Sequence, residues 1–359
     1  MTQIENLNIE SAEPLTPPSA IKEELPLTDS AADTVVAGRA VIEDILTRRD
    51  PRKLAIVGPC SIHSPDDARM YAEKLRGLSV ELQDELILVM RVYFEKPRTT
   101  IGWKGLIYDP DLDGTGDIER GLRLARRILL DIVQTGVYTA TEVLEPVIPQ
   151  YITDLVCWAA IGARTAESQT HRQLASGLSM PIGFKNATDG SIKVAIEGIK
   201  TAMSRHTFIG ITGTGQSGLF RTRGNSFGHL VLRGGSRGVN YGSEHIAFAT
   251  ELMRKEALLP NVIVDCSHAN SAKQPKRQVA ALDDVLGQVR DGNDAIVGVM
   301  LESNLRGGRQ PMPRDVSELE SGLSITDACL GWDETESVLF QMHRVLAERR
   351  HSGARTART

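Results

Sequence analysis

Eight times along this chain a short apolar run closes on a residue able to bind a metal or an anion, and helix-length sequence usually separates one run from the next. The runs are LAIVGPC ending at Cys60, LILVMR at Arg91, YTATE at Glu142, AAIGAR at Arg164, PIGFK at Lys185, HLVLR at Arg233, VIVDCSH at His268 and AIVGVMLE at Glu302. Unbroken apolar runs are the mark of parallel strands buried on both faces. Between them, apolar residues recur at helical spacing, most clearly from Asp117 with Ile118, Leu122, Ala125, Leu129, Ile132 and Val133 before Gly136. Further helices are predicted at about 33–49, 65–77, 190–203, 243–257, 275–291 and 333–350.

Strands alternating with helices predict an α/β fold, a (β/α)8 barrel whose chemistry lies at the carboxyl ends of the strands. One segment departs from the alternation. TFIGIT (207–212) and SGLFRT (217–222) are strand-like and separated only by GTGQ, which predicts an antiparallel hairpin inserted before the sixth barrel strand, over about 207–223. Gly213, Gly215 and Gly218 match GxGxxG there, but no helix follows to receive a pyrophosphate, so the glycines are read as turn residues.

The expected organisation is an N-terminal arm and leading helix over 1–50, a barrel over 51–350, and a polar, frayed tail, HSGARTART, over 351–359. The arm carries Pro14, Pro17, Pro18 and Pro26. It also offers Ile21, Leu25 and Leu27 for docking, so tail and docked regulatory or oligomer arm both stand as readings.

Net charge is −5 over 359 residues and no long basic block occurs, which argues against a nucleic-acid surface. No apolar stretch approaches membrane-spanning length, and the four cysteines, Cys60, Cys157, Cys266 and Cys329, are widely spaced without a CxxC pair. A soluble, cytoplasmic protein without a disulfide framework is expected. Cys157 and Cys266 are read as small buried residues.

Two sets of side chains carry chemistry. Cys60, His268, Glu302 and, beyond the last strand, Asp327 combine a thiolate, an imidazole and two carboxylates, a mixture suited to Mn²⁺, Fe²⁺, Co²⁺ or Zn²⁺. Arg91, Lys96, Arg98, Arg164, Lys185 and Arg233 place six cations on or just beyond strand ends, which implies anionic ligands carrying phosphate and carboxylate groups. A lone Arg is better explained by a structural ion pair with Glu142, Glu167 or Asp189; the set is better explained by a ligand. Arg98 with Thr99 forms a second anion site in the loop 91–105, and Glu142 is placed to orient a cation or a water.

The motifs VGPCSIH, MRVYFEKPRTT, AIGARTAESQTHR, GFKNATDG, LRGG, DCSHANS, GVMLESN and SITDACLGW, in this order over about residues 50–345, closely resemble the type I 3-deoxy-D-arabino-heptulosonate 7-phosphate (DAHP) synthases. The resemblance implies condensation of phosphoenolpyruvate with erythrose 4-phosphate at the start of the shikimate pathway. It implies metal ligands Cys60, His268, Glu302 and Asp327, and a phosphoenolpyruvate cage of Arg91, Lys96, Arg164, Lys185 and Arg233 with Glu142 nearby. Arg98 and Thr99 would take the second phosphate, and Lys96 or His268 the proton transfer.

It further implies feedback inhibition by an aromatic amino acid, tyrosine, phenylalanine or tryptophan, bound near Pro149, Gln150, Leu178, Ser179, Phe208 and Gly210, and assembly into dimers or tetramers. Through GLSMPIGFKN, FIGI and VDCSH the chain looks most like the tyrosine-regulated isoenzymes. Cys60 and Cys329, two residues past Asp327, are expected to be able to oxidise to a disulfide that expels the metal. The rival expectations are the sibling synthase that uses arabinose 5-phosphate, disfavoured by KPRTT and SITDAC, and a catalytically silent effector-binding barrel, disfavoured because no ligand or cage cation is missing.

Overall fold

The structure, a computed structural model, describes residues 4–98, 101–313 and 315–356. In chain order its strands are β1 (Lys53–Gly58), β2 (Leu86–Arg91), β3 (Tyr138–Val143), β4 (Trp158–Ile161), β5 (Ile182–Lys185), β6 (Thr207–Ile211), β7 (Ser217–Arg221), β8 (Gly228–Leu232), β9 (Val262–Asp265) and β10 (Ile296–Glu302). The helices are α1 (Pro18–Glu24), α2 (Asp29–Leu46), α3 (Pro65–Leu82), α4 (Ile118–Gln134), α5 (Pro149–Ile152), α6 (Gln169–Ala175), α7 (Lys193–Met203), α8 (Ser243–Lys255), α9 (Pro275–Arg290) and α10 (Trp332–Thr356).

Eight strands close into a parallel barrel in the order β1-β10-β9-β8-β5-β4-β3-β2. Pairs β6 and β7 stand apart as an antiparallel hairpin, with Gly215 at φ 77° in its tip. The strands' apolar runs follow from their surroundings: β1, β2, β4, β5, β9 and β10 are buried at every residue. Helix starts follow local chemistry, since the side chains of Ser64, Asp117 and Ser168 accept hydrogen bonds from the first turns of α3, α4 and α6.

Barrel closure sets the positions that matter for the site. In the β1–β10 pair Gly58 lies opposite Glu302, so Cys60, two residues further on, comes beside that carboxylate. Gly58 itself has φ 151°, and a Cβ there would press on the Arg91 backbone at 3.1 Å. The segment carrying Asp327 is tied to the end of β10 by the Leu330 N–H donating to the Glu302 carbonyl (2.9 Å) and by bridging of Gly308 with Cys329.

The arm is docked. Ile21 and Leu25 are buried, the Arg126 guanidinium donates to the Leu25 carbonyl (2.8 Å), and Arg123 pairs with Glu24 (2.7 Å). Leu27, offered with them for docking, is exposed, directly before the Thr28 cap of α2. The Ser19 N–H donates to the Gly213 carbonyl (2.7 Å), which ties α1 to the hairpin tip. At the other end α10 runs through residues 351–356, which the sequence assigned to a frayed tail. No helix among the described residues is long and apolar enough to cross a membrane.

Candidate active site

Six of the eight strand endings, Arg91, Glu142, Arg164, Lys185, Arg233 and His268, line one cavity at the carboxyl end of the barrel, while Cys60 and Glu302 are buried beside it. Asp327, Lys96 and Arg98 also line it. Thr99 lies outside the described residues.

The sulfur of Cys60 and carboxylate oxygens of Glu302 and Asp327 all lie within 4.8 Å of one another, a spacing and donor chemistry that can hold a metal ion. His268 stands at the edge of this trio, its Nε2 3.9 Å from Glu302. Its ring is oriented by Asp265, whose carboxylate lies 2.9 Å from Nδ1, and by the Ser267 hydroxyl at 2.7 Å. His268 adopts φ 55°, the left-handed conformation that opens the turn after β9. Cys60 is fully buried, and burial together with Glu302 pushes its thiol upward while Lys96 opposes them. The Lys96 ammonium donates to the Cys60 carbonyl (2.8 Å) and sulfur (3.2 Å). All four cysteines are free and buried.

The cations divide into two groups. Arg91 is wholly buried, donates to Glu302 (3.2 Å), the Pro59 carbonyl (3.3 Å) and the Met300 sulfur (2.9 Å), and lies over the Tyr93 ring at 4.1 Å. Lys185 pairs with Glu142 at 2.9 Å and lies 3.9 Å from Asp265. Burial works against both charges, but the surrounding anions outweigh it and hold both cations protonated. Glu142 is itself kept below the ordinary carboxylate range, with Lys185 overcoming burial. Room for its carboxylate comes from Gly162, where a Cβ would fall 2.4 Å from Oε1.

Arg164, Arg233 and Arg98 form the second group, with no carboxylate partner within ion-pair distance among the described residues. Arg233 donates to the Gly234 carbonyl and Arg98 to that of Trp103. Of the cations that the sequence assigns to a ligand, two therefore already carry a carboxylate partner in the structure. Glu142 has taken Lys185 and Glu302 has taken Arg91, whereas Asp189 pairs with Arg237 outside the set.

Sequence reasoning passed over three cavity residues, Tyr93, Glu95 and Lys273, and the buried Asp265 behind His268. Asp265 closes an apolar strand run, Tyr93 and Glu95 sit within a segment read as loop, and Lys273, which pairs with Asp327 at 3.0 Å, follows the last strand-end signal by five residues. Asp265 was the one with a usable signal, three residues before His268. Glu95 is buried, and burial raises its carboxyl to about 8 even though Tyr108 (3.0 Å) and the Glu145 N–H (3.2 Å) donate to it.

The expected effector residues lie elsewhere. Phe208 and Gly210 are on β6, where Phe208 stacks on Phe220 with centroids 5.6 Å apart. Leu178 and Ser179 lie at the base of the hairpin, fastened by Asn225 donating to the Leu178 carbonyl (3.1 Å). Pro149 and Gln150 begin α5, joined to the arm by the Tyr151 hydroxyl donating to the Thr16 carbonyl (3.0 Å).

A barrel with a metal-capable trio and several arginines at its mouth narrows the comparison with known proteins, and the profile of the DAHP synthetase I family matches residues 24–340. The chain belongs to the DAHP synthetase I family. It is 48% identical over 343 residues to the Tyr-sensitive phospho-2-dehydro-3-deoxyheptonate aldolase of Escherichia coli, covering 96% of each chain. It is 49% identical over 348 residues to the Phe-sensitive enzyme of the same organism, covering 97% of this chain and 99% of that one. A solved phospho-2-dehydro-3-deoxyheptonate aldolase of Francisella tularensis superposes with a TM-score of 0.93 at 43% identity, over 95% of this chain and 99% of that one. Identity to the Tyr-sensitive and Phe-sensitive members is nearly equal, so within this family overall similarity does not separate the effectors.

Proposed function

We propose that this chain is a DAHP synthase, condensing phosphoenolpyruvate with erythrose 4-phosphate and water to give DAHP and phosphate. The observation that carries the reading is the joint presence, in one barrel mouth, of the Cys60, Glu302 and Asp327 trio and of Arg164 and Arg233, cations without a carboxylate partner among the described residues. Family membership supports the same reaction.

Arg164 and Arg233 take the carboxylate and phosphate of phosphoenolpyruvate, with Lys185, Arg91 and Lys96 completing the cage. Glu142 and Glu302 keep Lys185 and Arg91 in place before substrate arrives, so little reorganisation accompanies binding. Arg98 and Thr99 hold the phosphate of the aldose. This arrangement sets C3 of phosphoenolpyruvate against the aldehyde carbon. As that bond forms, positive charge develops at C2, water adds there, and phosphate departs with C–O cleavage.

Cys60, His268, Glu302 and Asp327 fit one divalent transition ion, which when bound supplies Lewis-acid polarisation of the aldehyde oxygen. Lys96, in contact with Cys60, gives a proton to the new hydroxyl or His268 exchanges one with the attacking water.

The relatives' names, Tyr-sensitive and Phe-sensitive, support inhibition by an aromatic amino acid. Its site is proposed between the hairpin, the loop at Leu178 and Ser179, and the start of α5. The deciding assay follows phosphate release from metal-reconstituted protein given phosphoenolpyruvate with either erythrose 4-phosphate or arabinose 5-phosphate. Release with the four-carbon aldose is expected; none with it overturns the reading.

A further inference from the structure

The amino-terminal end of the barrel, opposite the mouth, holds a cleft of about 580 Å³. It opens where β1, β2, β9 and β10 begin and is roofed by α2, α8 and α10. That volume is in the range of sites for small organic ligands. Its walls mix apolar residues, among them Ile45, Pro51, Leu259 and Leu346, with a marked excess of cations over carboxylates.

The carboxylates are already engaged. Asp50 is held by Arg52 (2.6 Å), Asp294 by Arg349 (2.6 Å) and Glu85 by Arg350 (2.6 Å). Arg48 is turned to the carbonyls of Pro260 and Asp294. Two cations remain. Lys53, the first residue of β1, is 5% exposed, and its ammonium has no hydrogen bond or ion pair among the described residues. Arg254, near the end of α8, is exposed at the rim and likewise has no carboxylate partner there.

A buried ammonium without a counter-charge is unfavourable, and structures tolerate one chiefly where an anion completes it. Burial, followed by repulsion from Arg48 and Arg349, outweighs the attraction of Asp294, itself paired with Arg349, and brings Lys53 down to about 8. None of the residues proposed to act in the mouth contributes to this cleft.

We propose that the cleft is a second binding site, taking a small carboxylate with an apolar body: the carboxylate meets Lys53 and Arg254, and the body packs against Ile45, Leu259 and Leu346. The inference is independent of the reaction at the mouth.

The test is calorimetric titration with benzoate, alongside acetate and inorganic phosphate as anions lacking the apolar body. Benzoate is expected to saturate at one site per chain involving this cleft and to protect Lys53 from amine-reactive labelling, read on its peptide by mass spectrometry. Lys53→Met is expected to weaken that binding by about tenfold or more, and acetate and phosphate to bind at least about tenfold more weakly. Phosphate-release activity and the thermal midpoint of the variant should match the parent. If Lys53→Met does not fold, Arg254→Gln at the exposed rim carries the same expectation of weaker benzoate binding. Absence of protection at Lys53, benzoate binding unchanged in the folded variant, or phosphate binding as tightly as benzoate each overturns the proposal.

Discussion

The carboxylate of Asp265 lies 2.9 Å from Nδ1 of His268, which directs the opposite ring nitrogen toward Glu302. Outer partners of this kind set the tautomer and aim of a ligating imidazole. Asp265→Asn should therefore lower metal affinity or activity by about 10- to 100-fold without unfolding the barrel. Metal content after dialysis against a graded chelator, measured with steady-state rates, checks this; an unchanged metal content and rate would remove Asp265 from the role.

Cys60→Ser exchanges a soft sulfur for a hydroxyl that is a poor donor to a transition ion. Activity at limiting metal should fall sharply, with partial recovery as metal is raised. Wild-type activity at limiting metal would exclude Cys60 as a ligand.

Arg164→Gln removes a cation that has no carboxylate partner among the described residues, so the loss should fall on substrate binding. A KM for phosphoenolpyruvate raised roughly 10- to 100-fold is expected from the loss of one charge-assisted contact. The same variant should show a weaker dependence of kcat/KM on salt. A change in kcat alone, with KM constant, would contradict the assignment.

Arg126 is 1% exposed and makes a two-pronged contact with Asp154 at 2.9 Å while also holding the carbonyls of Leu25 and Tyr151. Asp154→Asn leaves that guanidinium buried with carbonyl partners only. The expected cost is about 2–4 kcal/mol, at the lower part of the range for a broken buried pair because Asp154 is partly exposed. Urea denaturation measures it, and accelerated proteolysis before α2 should accompany it.

His229 accepts a hydrogen bond from the Trp158 indole at Nε2 (2.9 Å), and its Nδ1 faces the Phe227 carbonyl (3.0 Å). The ring is thus neutral with its proton on Nδ1. Burial lowers its pKa from 6.5 to about 4. Between those values the unfolded chain binds the proton and the folded one does not, so stability falls as pH falls. The contribution is full above about 6.5, shrinks toward pH 4 and amounts to roughly 3 kcal/mol. Urea midpoints between pH 7 and 4 should therefore decline more steeply for the parent than for His229→Gln; parallel profiles would refute the linkage.

The alternation of buried apolar runs with amphipathic segments was enough for the barrel and for the separate hairpin, because strands covered on both faces and helices covered on one obey different periods. The short helices α1, α5 and α6, of seven, four and seven residues, escaped that reading, since so few turns do not establish a period. Leu27 is exposed although apolar, since hydrophobicity alone does not say which residues of a short arm meet the core.

Residue type and position at a strand end were sufficient to nominate Cys60, Arg91, Glu142, Arg164, Lys185, Arg233, His268 and Glu302, because a closed parallel barrel carries all its strand ends to one mouth. Which of these would pair with one another was decided only in three dimensions. Arg91 meets Glu302 across 211 positions of sequence because β1, between them in the barrel, closes against β10 and β2, and that register is a property of the whole sheet. Among the described residues the same closure leaves Arg164 and Arg233 without carboxylates at ion-pair distance and places Asp265 behind His268. Charge in the sequence counts what is available; only packing determines which charges neutralise each other and which are left facing the cavity.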